Sequence, residues 1–229
     1  MCDQRYHGVV KCAIAWGCWK TYVGRPEGST ERLMAIIQVG QALCAANSFE
    51  DAIAVDRAAL AYYEHVAPDY VDNIITLRGN ISVSLGKLGR REEALSIKRE
   101  CYQYLVDREG KKGERAIYQA FNIAADLNQL KRYTEATSFL RDQIPLATRM
   151  LGKDHEITLK FQKLYAMVVF GPPDGPWSEE KVRALGLLEA FNRSARRVLG
   201  PSHPETRHGE GLFKSMTTLL ALSATRERE

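Results

Sequence analysis

The feature that most constrains this sequence is an internal repeat with a regular period. Four short segments resemble one another, and each carries an alanine at the same place. The first three alanines are evenly spaced and the fourth follows after a longer interval, at Ala52, Ala94, Ala136 and Ala184. An insertion at residues 171–176 accounts for the longer last interval. A fixed period of about 42 residues predicts stacked repeats that contact mainly their neighbours.

Other columns of residues follow the same spacing. A turn position recurs as Pro68, Gly110, Gly152 and Gly200. An apolar position recurs as Leu43, Leu85, Leu127 and Val169. Because these columns are independent of the alanines, their agreement establishes the repeat.

Each period contains two helical patterns, as the second repeat illustrates. Its first apolar face consists of Ile75, Ile81, Ser82, Leu85 and Leu88. After a break at Gly89, its second face consists of Ala94, Leu95, Ile97, Cys101, Tyr102 and Leu105. This spacing is typical of amphipathic helices, and Gly110 suits the left-handed residue that ends the second one. The turns are short, so successive helices are predicted to be antiparallel.

The pattern therefore predicts an all-α fold, a right-handed superhelical solenoid of antiparallel helix pairs. We expect an N-terminal capping helix in residues 1–28 and four repeats in residues 29–67, 68–109, 110–151 and 152–200. A C-terminal capping helix and a short charged tail are expected in residues 201–229. The first helices of the pairs would line an extended concave surface.

The N-terminal helix is expected over residues 8–23. Its apolar face is predicted to comprise Val10, Ala13, Ile14, Gly17 and Cys18. Val10 lies one period before Ala52, so this segment is interpreted as a degenerate second helix. Two tryptophans, Trp16 and Trp19, lie about one turn apart. They either pack against the first repeat or form an exposed docking patch.

Two further features concern the C-terminal half. Ser202 and Glu205 fit a capping box, which predicts a last helix over about residues 203–223. Pro145 lies midway along the second helix of the third repeat, where we expect a kink rather than a helix end because the apolar pattern continues to Leu151.

Composition and charge exclude several classes of protein. The net charge is only +4, and the most basic segment, residues 193–197, has no interleaved aromatic residues, so nucleic-acid binding is not expected. No signal peptide and no apolar run long enough to span a membrane are recognised. Five cysteines without framework spacing are typical of reduced thiols, which favours a cytoplasmic location.

Signatures of chemistry are weak throughout the sequence, so no catalytic residue, metal ligand or cofactor is predicted. His155 and His203 recur at one repeat position and are interpreted as turn residues. Cys2, His7, Cys12 and Cys18 lack the short cysteine pair of a zinc site. Arg57, Arg99 and Arg141 form a ladder at the repeat period and are expected to make surface ion pairs.

Three segments carry a resemblance to a known family. Residues 89–100, 151–159 and 199–206 are similar to the tetratricopeptide repeat of kinesin light chains, which has the same period. The similarity covers roughly residues 29–210. The chain lacks the coiled-coil heptads of a kinesin light chain, has Asn47-Ser48 in place of Gly-Arg, and is interrupted in its fourth repeat. It is therefore closer to stand-alone proteins that carry these repeats.

The resemblance implies that the concave groove binds a peptide or a partner protein through the exposed stripe of each first helix. By position, this stripe comprises Met34, Gln38, Gln41, Thr76, Asn80, Val83, Lys87, Tyr118, Asn122, Ala125 and Gln129. The fourth copy, Lys160, Leu164 and Met167, is more apolar and is expected under the C-terminal cap. Asn80 and Asn122 either face the groove or bond neighbouring helices. An adaptor without enzymatic activity is predicted; the alternative is an assembly subunit that binds through its ends or convex face.

Overall fold

The structure is a computed structural model that describes residues 2–26, 29–171 and 178–226. Every regular element in these residues is an α-helix. The chain divides into two compact units, Met1–Gln103 and Tyr104–Glu229, which are described separately. Most of the predicted insertion and the last three residues of the charged tail lie outside the described residues.

The first unit contains α1 (Cys2–Tyr22), α2 (Thr30–Ala45), α3 (Phe49–Val66), α4 (Val71–Lys87) and the greater part of α5 (Arg91–Glu109). Each of the first three helices packs against the next one along the chain, and α2 also contacts α4. Short turns join these helices, so neighbours are antiparallel. Ile53 of α3, Ile81 and Leu85 of α4 and Ala94 of α5 form one of the buried clusters.

The second unit contains α6 (Glu114–Gln129), α7 (Tyr133–Leu151), α8 (Glu156–Val169), α9 (Glu179–Val198) and α10 (Pro204–Arg226). Successive helices pack in the same way, and the first helices α6 and α8 contact each other. The small alanines of the repeat column, Ala136 and Ala184, are fully buried. Small residues at these positions let neighbouring helices approach closely.

The backbone conformation of the turns recurs with the repeat period. The turn between the helices of a pair has a left-handed residue at Asn47, Gly89 and Lys131, with φ of 63°, 77° and 58°. The turn after a pair has one at Gly110, Gly152 and Gly200, with φ of 78°, 97° and 88°. The left-handed end predicted at Gly110 is therefore confirmed.

Two histidines at one repeat position begin helices. The His155 Nδ1 accepts a hydrogen bond from the Ile157 amide at 3.3 Å, and the His203 Nδ1 accepts one from the Glu205 amide at 3.2 Å. These residues therefore do more than turn the chain. The capping box predicted from Ser202 and Glu205 is wrong, because His203 provides the cap and the Glu205 carboxylate pairs with Lys163 of α8.

The N-terminal helix buries a different face from the one predicted. Ala15 is buried, and Cys12 and Trp19 pack beside it against the cluster that includes Val39 and Ala42 of α2. Of the predicted face, Val10, Ala13, Ile14 and Gly17 are exposed and Cys18 is half-buried. The sequence shows apolar residues around most of this helix, and the spacing alone selected the wrong side.

The third repeat keeps its second helix intact at the proline. Helix α7 continues through Pro145 to Leu151. The prediction that the helix does not end at this proline is confirmed. Pro145 lies at an exposed position of α7.

Candidate peptide-binding surface

The stripe predicted on the first helices is largely exposed in the first unit. Met34, Gln38 and Gln41 of α2 are exposed, and so are Val83 and Lys87 of α4. Thr76 is half-buried, and its hydroxyl donates to the Asp72 carbonyl one turn earlier at 2.7 Å. This unit therefore presents amides, one cation and apolar side chains on its first helices.

Asn80 is the stripe residue most tied to the interior. The residue is half-buried, and its Nδ2 atom is buried without a hydrogen-bond acceptor among the described residues. The amide interacts with the carboxylate of Asp56 on α3 and favours the charged form of that group. The position of Asn80 therefore fits the alternative interpretation, in which its amide interacts with a neighbouring helix. Part of the side chain remains accessible.

The stripe of α6 in the second unit is also accessible. Tyr118, Asn122 and Gln129 are exposed, and Ala125 is half-buried. The opposite face of the same helix is buried and comprises Ala116, Ile117, Ala120, Ile123, Ala124 and Leu127. Helix α6 is therefore strongly amphipathic, with the predicted stripe on its free side.

Two contacts position the side chains of this stripe. The Tyr118 ring meets the His155 ring edge to face, with 6.4 Å between centroids. The Asn122 Nδ2 donates to the Gln119 Oε1 at 3.4 Å. The cap histidine of α8 thus holds a tyrosine that is 40% exposed, and an aromatic ring that is held in this way can bind a ligand at a smaller entropic cost.

The fourth copy of the stripe is partly covered, as expected from its apolar character. Leu164 is buried, and Lys160 and Met167 are half-buried. Lys163, on the same helix, pairs with Glu205 of α10 and lies 5.9 Å from the centre of the Phe191 ring. These contacts tie α8 to both α9 and α10.

The first unit contains a buried acid that was not predicted from the sequence. Asp56 is fully buried, and neither carboxylate oxygen has a hydrogen-bond partner among the described residues. Burial raises the pKa of Asp56 to about 7, and the nearby Asn80 amide only partly opposes this rise. The repeat column contained only a partial signal, because the equivalent position is Lys98 in the second repeat but Leu140 and Leu188 in the third and fourth.

Acidic neighbours neutralise much of the most basic segment. Arg193 pairs with Glu189, Arg196 with Glu210, and Arg197 with Asp154. Arg141 of the arginine ladder likewise pairs with Glu180 at 2.6 Å, as expected for surface ion pairing. Surface pairs of this kind contribute little stability, but they leave no strongly basic stripe at this segment.

The described residues contain neither a grouping of three or more His, Cys, Asp or Glu side chains suited to a metal ion nor a helix long and apolar enough to cross a membrane. The cysteines Cys12, Cys18, Cys44 and Cys101 are free thiols.

Comparison with known proteins supports the same fold. A family model described as tetratricopeptide repeat matches residues 122–156. Among solved structures, the chain is similar to the nearly identical TPR-like repeats of a Podosopora anserina kinesin light chain. That alignment has 11% identity over 85% of this chain and 94% of the other, with a TM-score of 0.65.

Two other solved structures are similar to the chain. BtubC (BKLC) from P. vanneervenii aligns with 10% identity over 96% of this chain and 91% of its own, with a TM-score of 0.58. The apo form of RapI aligns with 14% identity over 96% and 82% of the two chains, with a TM-score of 0.65. No curated protein matches the chain.

The predicted all-α class of paired, repeated helices is therefore confirmed, and this fold serves in general as a scaffold for interactions between proteins. The helix pairs, the matched repeat and the solved relatives lead to one assignment. The chain has the fold of tetratricopeptide-repeat solenoids and contains one segment that matches the tetratricopeptide-repeat model, and its structural neighbours include repeats of the kinesin-light-chain type.

Proposed function

We propose that this chain is a scaffold that binds an extended peptide or a partner protein along the exposed stripe of its first helices. The observation that carries this proposal is the division of α6 into two faces. One face is buried in the repeat, whereas Tyr118 and Asn122 on the other are exposed. A helix surface that the fold does not need for packing is free to vary for recognition.

The stripe has the chemistry that peptide recognition requires. The Asn122 side chain can donate to and accept from a peptide backbone, and Gln38 and Gln41 can do the same in the first unit. Tyr118 supplies a rigid aromatic surface with a hydroxyl group, which is typical of residues that dominate binding energy. Val83, which is 52% exposed, adds an apolar contact on α4.

We propose no enzymatic activity and no cofactor, and we place the protein in the cytoplasm with a protein or peptide as its ligand. The one carboxylic acid with a strongly raised pKa among the described residues, Asp56, has no exposed surface at which a substrate could bind. The neutralised basic segment speaks against nucleic acid as a ligand. The boundaries of the four repeats and the caps are part of this proposal.

A second function, assembly through an end of the chain, is favoured by one observation. Helix α1 has an exposed apolar side, on which Ile14 is 66% exposed. Of the two tryptophans, Trp19 packs beside the core under the Arg32 guanidinium, whereas Trp16 is 43% exposed. Trp19 therefore fits the interpretation of packing against the first repeat, whereas Trp16 remains available for docking.

Affinity capture with matched variants tests the main proposal. The stripe variant is Val83→Glu/Tyr118→Ala/Asn122→Ala, which omits Asn80 because of its buried amide. The control variant is Ser96→Ala/Asp142→Ala, which changes two exposed residues of second helices. We expect wild type and control to retain a protein that the stripe variant loses, with helicity unchanged by circular dichroism. Equal retention by all three forms would contradict the proposal.

A further inference from the structure

We propose that the exposed apolar side of α1 is a docking site for an acidic amphipathic helix of another protein. We call this side the open face of α1, and it comprises Val10, Ala13, Ile14 and Gly17. The proposal deepens the second function, assembly through α1, and concerns a different helix from the stripe. Lys11 and Ile14 nevertheless line one cleft with Gln38 and Gln41 of the α2 stripe, so the open face adjoins that stripe.

The spacing of the open face is that of a packed helix surface. Its four residues fall at i, i+3, i+4 and i+7, which places them on one side of α1. The opposite side already packs on α2 through Cys12, Ala15 and Trp19. Helix α1 is therefore apolar on two sides, and a helix that is apolar all round is normally buried.

The repeat indicates what kind of element would cover the open face. The residues of α3 that lie one period after Val10, Ile14 and Gly17 are all buried. Ala52 and Asp56 are inaccessible, and Ala59 is 3% exposed. Helix α3 contacts two first helices, α2 and α4, and these positions lie in the interior of that stack. In α1 the corresponding Val10, Ile14 and Gly17 are exposed. The occupant that the spacing fits is therefore a helix.

Small residues on the open face permit a close approach. A Cβ atom built on Gly17 meets nothing within 4 Å, and Ala13 lies one turn away on the same side. Helices that pack through such residues bring their backbones close together and bury the larger neighbours between them. Val10 and Ile14 are these larger neighbours.

The charge around the open face defines the chemistry of the partner. Lys11 and Lys20 are exposed on opposite flanks of the face, and neither has an acidic partner within the described ranges. Residues 10–22 contain no acidic residue. A partner helix with an apolar stripe flanked by Glu or Asp would match both the apolar surface and the two lysines.

A second copy of this chain fits less well. Two α1 helices would bring lysines on both flanks into proximity, which costs free energy. One side of α10 exposes Arg207, Gly211, Lys214 and Thr218, which are polar or small, and Leu219 beside them is the exposed large apolar residue of this helix among those described. The two cations of α10 would also face the lysines of α1.

Two synthetic helical peptides test this inference. Both carry a Leu/Ala stripe at i, i+3, i+4 and i+7; one has Glu at the flanking positions and the other has Lys. Binding of each labelled peptide to the full chain is measured by fluorescence anisotropy. We expect the Glu peptide to bind at least tenfold more tightly than the Lys peptide. Equal binding of the two peptides, or no binding of either, would overturn the proposal.

Variants locate the binding site. Ile14→Glu and Gly17→Leu, both at exposed positions, are expected to weaken binding of the Glu peptide at least tenfold without loss of helicity. The matched control Val182→Glu, at a valine of α9 that is 50% exposed, is expected to leave it unchanged. Retained binding in Ile14→Glu contradicts the site. A dimer in sedimentation that Ile14→Glu dissociates assigns the face to a second copy, and this also overturns the proposal.

Discussion

Gly40 of α2 leaves the space that the side chain of Asp56 on α3 occupies. A Cβ atom at Gly40 would lie 2.7 Å from the Asp56 Cγ, which is closer than packed atoms approach. The third and fourth repeats have Ala124 with Leu140 and Ala166 with Leu188 at the same two positions. The first repeat has therefore exchanged a small and large apolar pair for a glycine and a buried acid.

Gly40→Ala is expected to destabilise the protein by about 1–3 kcal/mol, because the added methyl group must displace the buried carboxylate. Chemical unfolding followed by circular dichroism measures this change. Gly79→Ala is the matched control, since a Cβ at that glycine of α4 meets nothing within 4 Å. It should raise the stability by up to about 1 kcal/mol through helix propensity. Similar losses in both variants would contradict the packing described.

Asp56 should make stability depend on pH. Its pKa rises from 3.8 to about 7 on folding, so the folded protein holds a proton that the unfolded chain has released between these values. The free energy of unfolding therefore falls as pH increases, by up to about 1.4 kcal/mol per pH unit, and levels off above pH 7. Asp56→Asn cannot ionise and should lack this fall.

Urea unfolding of wild type and Asp56→Asn at pH 5, 6, 7 and 8 measures the effect. The stability advantage of the variant should grow from pH 5 to pH 7 and then remain constant. Asp142→Asn, at an exposed residue of α7, serves as the control and should show no such trend. A constant difference between wild type and Asp56→Asn at all four pH values would show that Asp56 does not gain a proton on folding.

Lys131 occupies a left-handed conformation that costs a residue with a side chain about 1–2 kcal/mol. The same turn has Asn47 in the first repeat and Gly89 in the second, and both residue types tolerate this conformation more readily. Lys131→Gly is therefore expected to raise the melting temperature modestly, with a gain of up to about 1 kcal/mol. Arg132→Gly, at φ of −81°, should lower it. A loss in both variants would mean that Lys131 is not strained.

Cys101 should be the least reactive of the described thiols. It is 2% exposed, and burial raises its pKa to about 11, so the reactive thiolate is scarce at neutral pH. Arg78 opposes this rise but does not cancel it. In pulse alkylation at pH 8 read by mass spectrometry, Cys12, Cys18 and Cys44 should be modified before unfolding and Cys101 only with it. Early modification of Cys101 would contradict its burial.

The sequence predicted features that depend on spacing within the chain. The regular period indicated the helix pairs, and Gly110 indicated a left-handed helix end. Features that depend on which neighbours are present were not predicted. The sequence of α1 has apolar residues on two sides of the helix. The side with Cys12, Ala15 and Trp19 is the buried one because of how α2 packs against it. Similarly, the amide of Asn80 interacts with Asp56, an acid whose burial no local pattern reveals.

The cap of α10 is another feature that depends on a neighbouring helix and was not predicted from the local sequence. Ser202 and Glu205 have the spacing of a capping box, but the His203 Nδ1 accepts from the Glu205 amide and the Glu205 carboxylate pairs with Lys163 of α8. A long-range ion pair thus overrode a local motif. The recurrence of His155 and His203 at one repeat position was visible in the sequence and could have suggested a shared capping role.

Site-specific photo-crosslinking tests the central claim, ligand binding along the first helices, most directly. A photoreactive phenylalanine analogue replaces Tyr118 on the exposed stripe of α6 or, as the control, Asp142 on the exposed side of α7. Each protein is irradiated in a lysate of its source cells, and crosslinked products are identified by mass spectrometry. We expect one specific protein to be crosslinked from position 118 and not from position 142. Crosslinks from position 142 alone, or identical products from both positions, would contradict this claim.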